Sequence, residues 1–160
     1  METRTGEVIV RGLRPEDFEE VVNLDAKNTG RRREEFFRLK LQQNLQETGI
    51  KVSLAAEVDG LFAGFLLARV YYGEFGAIEP AAVLDTIGVH PDYRGRGVGA
   101  ALIDQLQTNL RGLNVRSLRT EVAWETPGLL TFFQHMGFRP APRFCLDLDP
   151  SSPRPGERDS

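Results

Sequence analysis

The run "RGRGVGA", residues 94–100, sets the strongest limit on how this chain folds. It puts three glycines and two arginines into seven residues, after an apolar strand-like segment and directly before an apolar helical one. "AVLDTIGV" (82–89) reads as the strand. Val98, Leu102, Leu106 and Leu110 recur every fourth residue, one face of a helix to about residue 111, with Gly112 placed as its left-handed cap. A tight strand-to-helix turn needs one glycine, not three at alternate positions beside Arg94 and Arg96. Helix N-termini leave backbone N–H groups unpaired and favour negative charge. Glycines let an anion reach that backbone without meeting a Cβ. The combination predicts an anion site.

Context decides which anion. Gly95, Gly97 and Ala100 match G-x-G-x-x-A, with Glu121 beyond, which is the dinucleotide-binding pattern. In that fold the glycines follow the strand at once, whereas "HPDYR" intervenes here, and too little chain follows for a doubly wound sheet. A P-loop needs G-x-x-x-x-G-K-[ST], and no lysine occurs after Lys51. Neither nucleotide reading stands.

The flanking chain supplies the rest of a domain. Residues 7–12 read as a short strand. Pro15, followed by Glu16 and Asp17, opens a helix to about residue 28. A second helix is expected over about 32–46. Residues 51–58 and 61–72 read as strands around Asp59-Gly60, a strong hairpin signal. Further on, 115–124 reads as a strand, a helix opens at Pro127 and ends at Gly137, and 138–148 supply the last strand or strands. An early antiparallel hairpin and a later βαβ unit make a mixed sheet. The expected class is α/β (α+β in some schemes), a central sheet of about six or seven strands flanked by about four helices. Residues 1–149 form a single domain on this reading, and the polar, Pro-rich 150–160 a disordered tail.

Composition narrows the partners. At 160 residues, 41% apolar and 27% charged, the chain is long enough for one core that buries about 70% of its unfolded surface. A net charge of −3 argues against a general nucleic-acid binder. The lone Cys145 and the distant His90 and His135 supply no zinc ligand set, so no metal is expected. The first residues lack a sustained apolar region, and no run of about 18 apolar residues occurs. No membrane partner and a cytoplasmic location are expected.

"DTIGVHPDYRGRGVGAALI" resembles the acyl-CoA-binding motif of the GNAT superfamily of N-acetyltransferases, written Q/R-x-x-G-x-G/A and matched by Arg94, Gly97 and Gly99. "LRTEVAWETPGLLTFFQHMGF" is similar to the family's next strand, helix and closing Gly137-Phe138, so the resemblance covers about residues 6–148. It implies acetyl-CoA as co-substrate and a primary amine of a protein, peptide or small molecule as acceptor, acetylated by direct attack in a ternary complex. It also implies that the backbone of Arg94, Gly95, Arg96, Gly97, Val98, Gly99 and Ala100 cradles the pyrophosphate. Ile87, Gly88 and Val89 would pair with the pantetheine arm, and an amide of that strand would polarise the thioester carbonyl. Gly88 suits close approach of a ligand and equally suits a bulge.

The amine must lose a proton, and two acids fall among apolar residues of the central strands, Asp85 and Glu121. Glu121 matches a catalytic glutamate of several family members; Asp85 is the second candidate. The family often places Asn five residues after that Glu, contacting the cofactor, and Tyr twelve after it, protonating the leaving thiolate. Here Thr126 and Phe133 stand there. Thr126 keeps a hydroxyl and also suits a helix N-cap before Pro127. Phe133 has no proton to donate, and Tyr71, Tyr72 and Tyr93 are the available stand-ins. His90 reads as a turn residue, His135 as a surface residue and Cys145 as a core residue. The resemblance makes residues 31–33 and Glu74 candidates to read the acceptor. Phe133 also keeps open a second class, a non-catalytic acyl-CoA sensor or interaction module. The chain is expected to be a monomer or homodimer.

Overall fold

The computed structural model describes residues 6–73, 76 and 78–156. In chain order the elements are β1 (Val8–Gly12), α1 (Phe18–Thr29), α2 (Glu34–Leu41), β2 (Leu54–Val58), β3 (Leu61–Tyr71), β4 (Ala81–Val89), α3 (Val98–Gly112), β5 (Leu118–Thr120) and α4 (Pro127–His135). The strands form one sheet in the order β1-β2-β3-β4-β5, antiparallel except for the parallel β4–β5 pair. The mixed α/β fold is therefore as the sequence predicts.

Local chemistry explains the clearest elements. Asp59 and Gly60 both take positive φ, 52° and 79°, the conformation whose twist matches a two-residue hairpin, and Val58 pairs with Leu61 across it. Gly30, at φ 76°, ends α1 by donating its N–H to Ala26 O. β3 runs down the middle of the sheet and is buried from Ala63 to Ala68 because helices cover both faces. Phe65 and Leu67 join Val21, Val22, Leu24 and Phe37 in one core beneath α1 and α2. Leu66 and Ala68 point the other way, into a second core with Leu84, Val98, Leu102, Leu106 and Phe133. Each core excludes water from one face of the sheet, the dominant favourable contribution to folding.

Several expectations need correction. The described sheet has five strands, not six or seven. Residues 138–148 form no strand: Pro140 and Pro142 lack the N–H that a ladder needs, and among the described residues the sheet ends at β5. Cys145, expected in the core, is exposed on this unpaired segment. Finally, α3 includes Gly112, and the left-handed residue after it is Asn114 at φ 59°, so Val115 can donate to Leu110 O. Asn takes this conformation more readily than most residues. β5 is also shorter than the expected 115–124, and α2 gives way at Gln42–Gln46 to a wider π-type turn.

Candidate active site

β4 and β5 pair over three residues only, Ala82 with Leu118, Val83 with Arg119 and Leu84 with Thr120. The Thr120 hydroxyl donates to Leu84 O at 3.0 Å and closes the pair. β5 then ends, while β4 continues to Val89. The result is a fork in which the backbone of residues 85–89 has no β5 residue opposite it. A bulge marks its base: Thr86 pairs with Leu67 and Leu84 with Ala68, leaving Asp85 as the extra residue. Bulges bend and twist a strand, and this one sits where β4 leaves β5.

The glycine loop lies at the open end of the fork. His90 anchors the turn, donating its N–H to Ala63 O and accepting from Tyr93 N, while its Nδ1 accepts from Asp92 N. Gly95 and Gly97 follow at φ 79° and 78°, and a Cβ at either would point into open space. Gly97 is the N-cap of α3 and offers no side chain to occupy the first-turn amides of Val98, Gly99 and Ala100. Arg94 and Arg96 are exposed beside these donors. Arg94 Nη2 donates to Asn28 Oδ1 at 2.8 Å, and Asn28 Nδ2 donates to Val89 O at 3.0 Å, so α1 holds both the arginine and the end of β4. A concave set of amides with two guanidinium groups is chemically suited to a diphosphate.

Both acids lie at the base of the fork, each immediately after the last β4–β5 pair. They face different partners. Asp85 is 12% exposed; Asn44 Nδ2 donates to it at 3.2 Å, and Lys40 Nζ and Arg69 Nε each lie 3.9 Å away. Glu121 is exposed and accepts from Cys145 Sγ–H at 3.7 Å, and its charge pushes the Cys145 thiol above its ordinary range.

The family model described as "Acetyltransferase (GNAT) family" matches residues 17–138. The chain belongs to the GNAT acetyltransferase family. Solved structures share its fold. A CoA complex of the aminoglycoside N-acetyltransferase AAC(6')-Iy is 21% identical with a TM-score of 0.73, over 90% of this chain and 95% of that one. A ribosomal-protein-alanine N-acetyltransferase from Brucella melitensis biovar Abortus 2308 is 24% identical with a TM-score of 0.67, over 89% and 100%. A transcriptional regulator from Bacillus halodurans C-125 is 17% identical with a TM-score of 0.72, over 89% and 99%.

Several other residues of this GNAT domain have roles that spacing alone does not reveal. A Cβ on Gly88 would come within 2.8 Å of Phe65 and 3.1 Å of Leu24, so this glycine lets α1 pack close to β4. Gly99 does the same for α4, because its Cβ would sit 3.0 Å from Phe132. Ile87 and Val89 are half-buried on the unpaired stretch of β4. Thr126 precedes α4 but makes no side-chain cap; its hydroxyl donates to Ala123 O at 2.9 Å. Phe133 is 3% exposed and packs on Phe138 and Phe132 at ring distances of 4.9 and 5.4 Å. Tyr93 is half-buried in the loop with the Arg96 guanidinium 5.6 Å from its ring, whereas Tyr71 and Tyr72 lie at the far end of β3.

The arginines of 31–33 divide. Arg33 holds Asp25 with two hydrogen bonds of 2.8 and 2.7 Å, and Arg32 bonds Glu19, Asn23 and Glu34, so both brace the helices. Arg31 is exposed, and Glu74 lies outside the described residues. Sequence reading missed Asn28 and Asn44. Asn28 reads only as part of a helix-breaking "NTG". Asn44 carried a usable signal, a polar residue beside Leu41 and Leu45 in an apolar stripe; it is fully buried, with its Oδ1 lacking a partner. Among the described residues no three His, Cys, Asp or Glu side chains come together as a metal site, and no helix is long and apolar enough to cross a membrane.

Proposed function

We propose that this protein transfers an acetyl group from acetyl-CoA to a primary amine by direct attack within a ternary complex. The observation that carries the reading is the fork: five residues of β4 backbone, 85–89, freed from β5 and opening onto the bare amides of the α3 N-terminus. Acetyl-CoA, when bound, supplies an acetyl group activated as a thioester. The amides of residues 95–100, apart from the Arg96 N–H that donates to Tyr93 O, donate to its diphosphate, and Arg94 and Arg96 add charge. The exposed β4 groups of Ile87, Gly88 and Val89 pair with the amide-rich pantetheine arm, and an N–H of this strand hydrogen-bonds the thioester oxygen, where negative charge develops. Thr126 and the α4 aromatics flank the same arm.

Glu121 or Asp85 takes the proton that the attacking amine must lose, directly or through one water. The C–N bond forms as the C–S bond breaks, and the departing sulfur takes its proton from solvent or Tyr93. Similar structures include a CoA complex of an aminoglycoside acetyltransferase and Arabidopsis thaliana Naa50 with a bisubstrate analogue, which supports both the co-substrate and an amine acceptor. One observation favours a second reading, an acyl-CoA sensor: a buried Phe133 leaves that position of α4 without an acid.

Two measurements separate the readings. Acetyl-CoA is expected to raise the melting temperature, while ATP and NAD leave it unchanged. Release of free thiol on incubation with an amine panel is expected of the enzyme. Stabilisation with no thiol release across a broad panel establishes the sensor, and no stabilisation sinks both readings.

A further inference from the structure

Two buried carboxylates of this chain are each gripped by an arginine through two short hydrogen bonds. Arg11 donates to Asp17 at 2.8 and 2.9 Å, and Arg33 to Asp25 at 2.8 and 2.7 Å. Asp85 is held differently. Its one hydrogen bond comes from Asn44, while Lys40 Nζ and Arg69 Nε each stay 3.9 Å away. Among the described residues neither cation makes a side-chain hydrogen bond, and Arg69 has besides only the Tyr71 ring, 5.9 Å off. Two cations therefore share one acid, with their side chains 25% and 46% exposed.

This cluster stands where an acceptor must come. Asp85 is the first residue of the fork, and the two residues on to Ile87 span about 7 Å of strand. On the α3 side of the sheet, Leu66, Ala68 and Leu84 fill that depth with core. The other side is open to water. There Arg69, paired with Val83, follows Phe65 and Leu67 along one face of β3. Lys40 reaches the same acid from α2, and Asn44 from the wider turn after it.

We propose that Lys40 and Arg69 form an acceptor subsite that selects primary amines carrying a carboxylate close to the amine, as in an α-amino acid or an acidic peptide N-terminus. The proposal rests on the acetyl-transfer reading above. Lys40 and Arg69 set against Asp85 leave one positive charge, which one carboxylate cancels and which repels a polyamine. A phosphate monoester, with about two negative charges, is the poorer match. The Arg69 guanidinium offers a planar fork of donors suited to a carboxylate, and Lys40 adds a compact charge. In the transfer, the amine nitrogen bonds the acetyl carbon and the C–S bond breaks to leave CoA. The amine proton goes to Glu121 or Asp85, and the acceptor carboxylate is unchanged.

Initial rates of thiol release test the proposal. The panel is each α-amino acid beside its own carboxamide, peptides that begin with an acidic residue, and spermidine. A carboxylate-bearing amine is expected to exceed its carboxamide about tenfold in kcat/KM. Lys40→Met and Arg69→Gln are each expected to raise KM for that amine about tenfold with little change in kcat, and to shrink its advantage over the carboxamide. Arg69→Lys, which keeps the charge, is expected to restore part of the loss. Preference for the free amino acid or for the peptide supports the proposal either way and identifies the source of the carboxylate. Carboxamides or spermidine reacting as fast as the acids overturn the subsite and leave acetyl transfer standing. So does a preference for acids that survives both Lys40→Met and Arg69→Gln. Thiol release from no amine at all sinks the transfer reading and this proposal with it.

Discussion

Asp17 and the loop of residues 94–100 both set charge against backbone N–H groups, with opposite outcomes. Asp17, 4% exposed, accepts two hydrogen bonds from the Arg11 guanidinium at 2.8 and 2.9 Å and one from Arg14 N at 2.8 Å. Burial alone would raise its carboxyl, but these bonds outweigh burial and hold it below the usual carboxylate range. The same contacts push the Arg11 guanidinium above its ordinary value. In the loop, a Cβ at Gly95 or Gly97 would meet nothing within 4 Å, the first-turn amides of α3 have no side-chain cap, and the arginines beside them are exposed. A buried charge unmatched within the chain would unfold it, whereas exposed donors persist because water serves until a ligand arrives. Donors satisfied internally fasten the β1–α1 corner; donors left to water mark the proposed diphosphate site.

The largest expected effect comes from filling the loop. Gly97→Glu places a side chain at φ 78° and a negative charge among the amides. It is expected to weaken acetyl-CoA binding about a thousandfold, the loss of roughly 4 kcal/mol. Unchanged affinity by calorimetry would break the comparison at once.

Emptying the filled site is the converse. Asp17→Asn is expected to destabilise the fold by about 3 kcal/mol, because it strips Arg11 of its buried partner, while acetyl-CoA affinity is unaltered. Denaturant melts and calorimetry on one preparation check both halves. The pH dependence follows with definite sign. Because the folded-state pKa of Asp17 is depressed, its contribution is fully present above the ordinary carboxylate value of about 3.9 and is lost as pH falls through the folded value. Acid melts of the natural chain and of Asp17→Asn are expected to converge at the lowest pH.

Arg94→Ala is expected to reduce affinity for CoA by roughly 1.5–3 kcal/mol, the range of a charge-assisted hydrogen bond, and to leave stability unchanged. Binding of a pantetheine fragment without phosphate should barely respond. An equal loss for both ligands would mean that Arg94 acts through its Asn28 contact on the end of β4 rather than on a phosphate.

The smallest effect tests α4. Phe133→Tyr buries a hydroxyl against Phe132 and Phe138 and is expected to cost about 1–3 kcal/mol of stability without raising turnover. Faster acetyl transfer at unchanged melting temperature would show that this side chain reaches the sulfur after all.

What the sequence by itself determined lies within a few residues of its cause. The Asp59-Gly60 hairpin, the helix from Val98 and the bare loop before it depend on the backbone preferences and side-chain spacing of neighbours, and each was legible. The family resemblance rested on the same local run. Only the tertiary structure decided which way Asp85 and Glu121 turn, because strand register sets side-chain direction and a one-residue bulge changes it. Asn44 meets Asp85 across 41 residues of chain, and Arg94 meets Asn28 across 66, separations over which no local preference acts. The segment after α4 shows the same limit from the other side. The sequence reads residues 138–148 as a strand, but a strand exists only where a partner supplies the ladder, and among the described residues the sheet ends at β5.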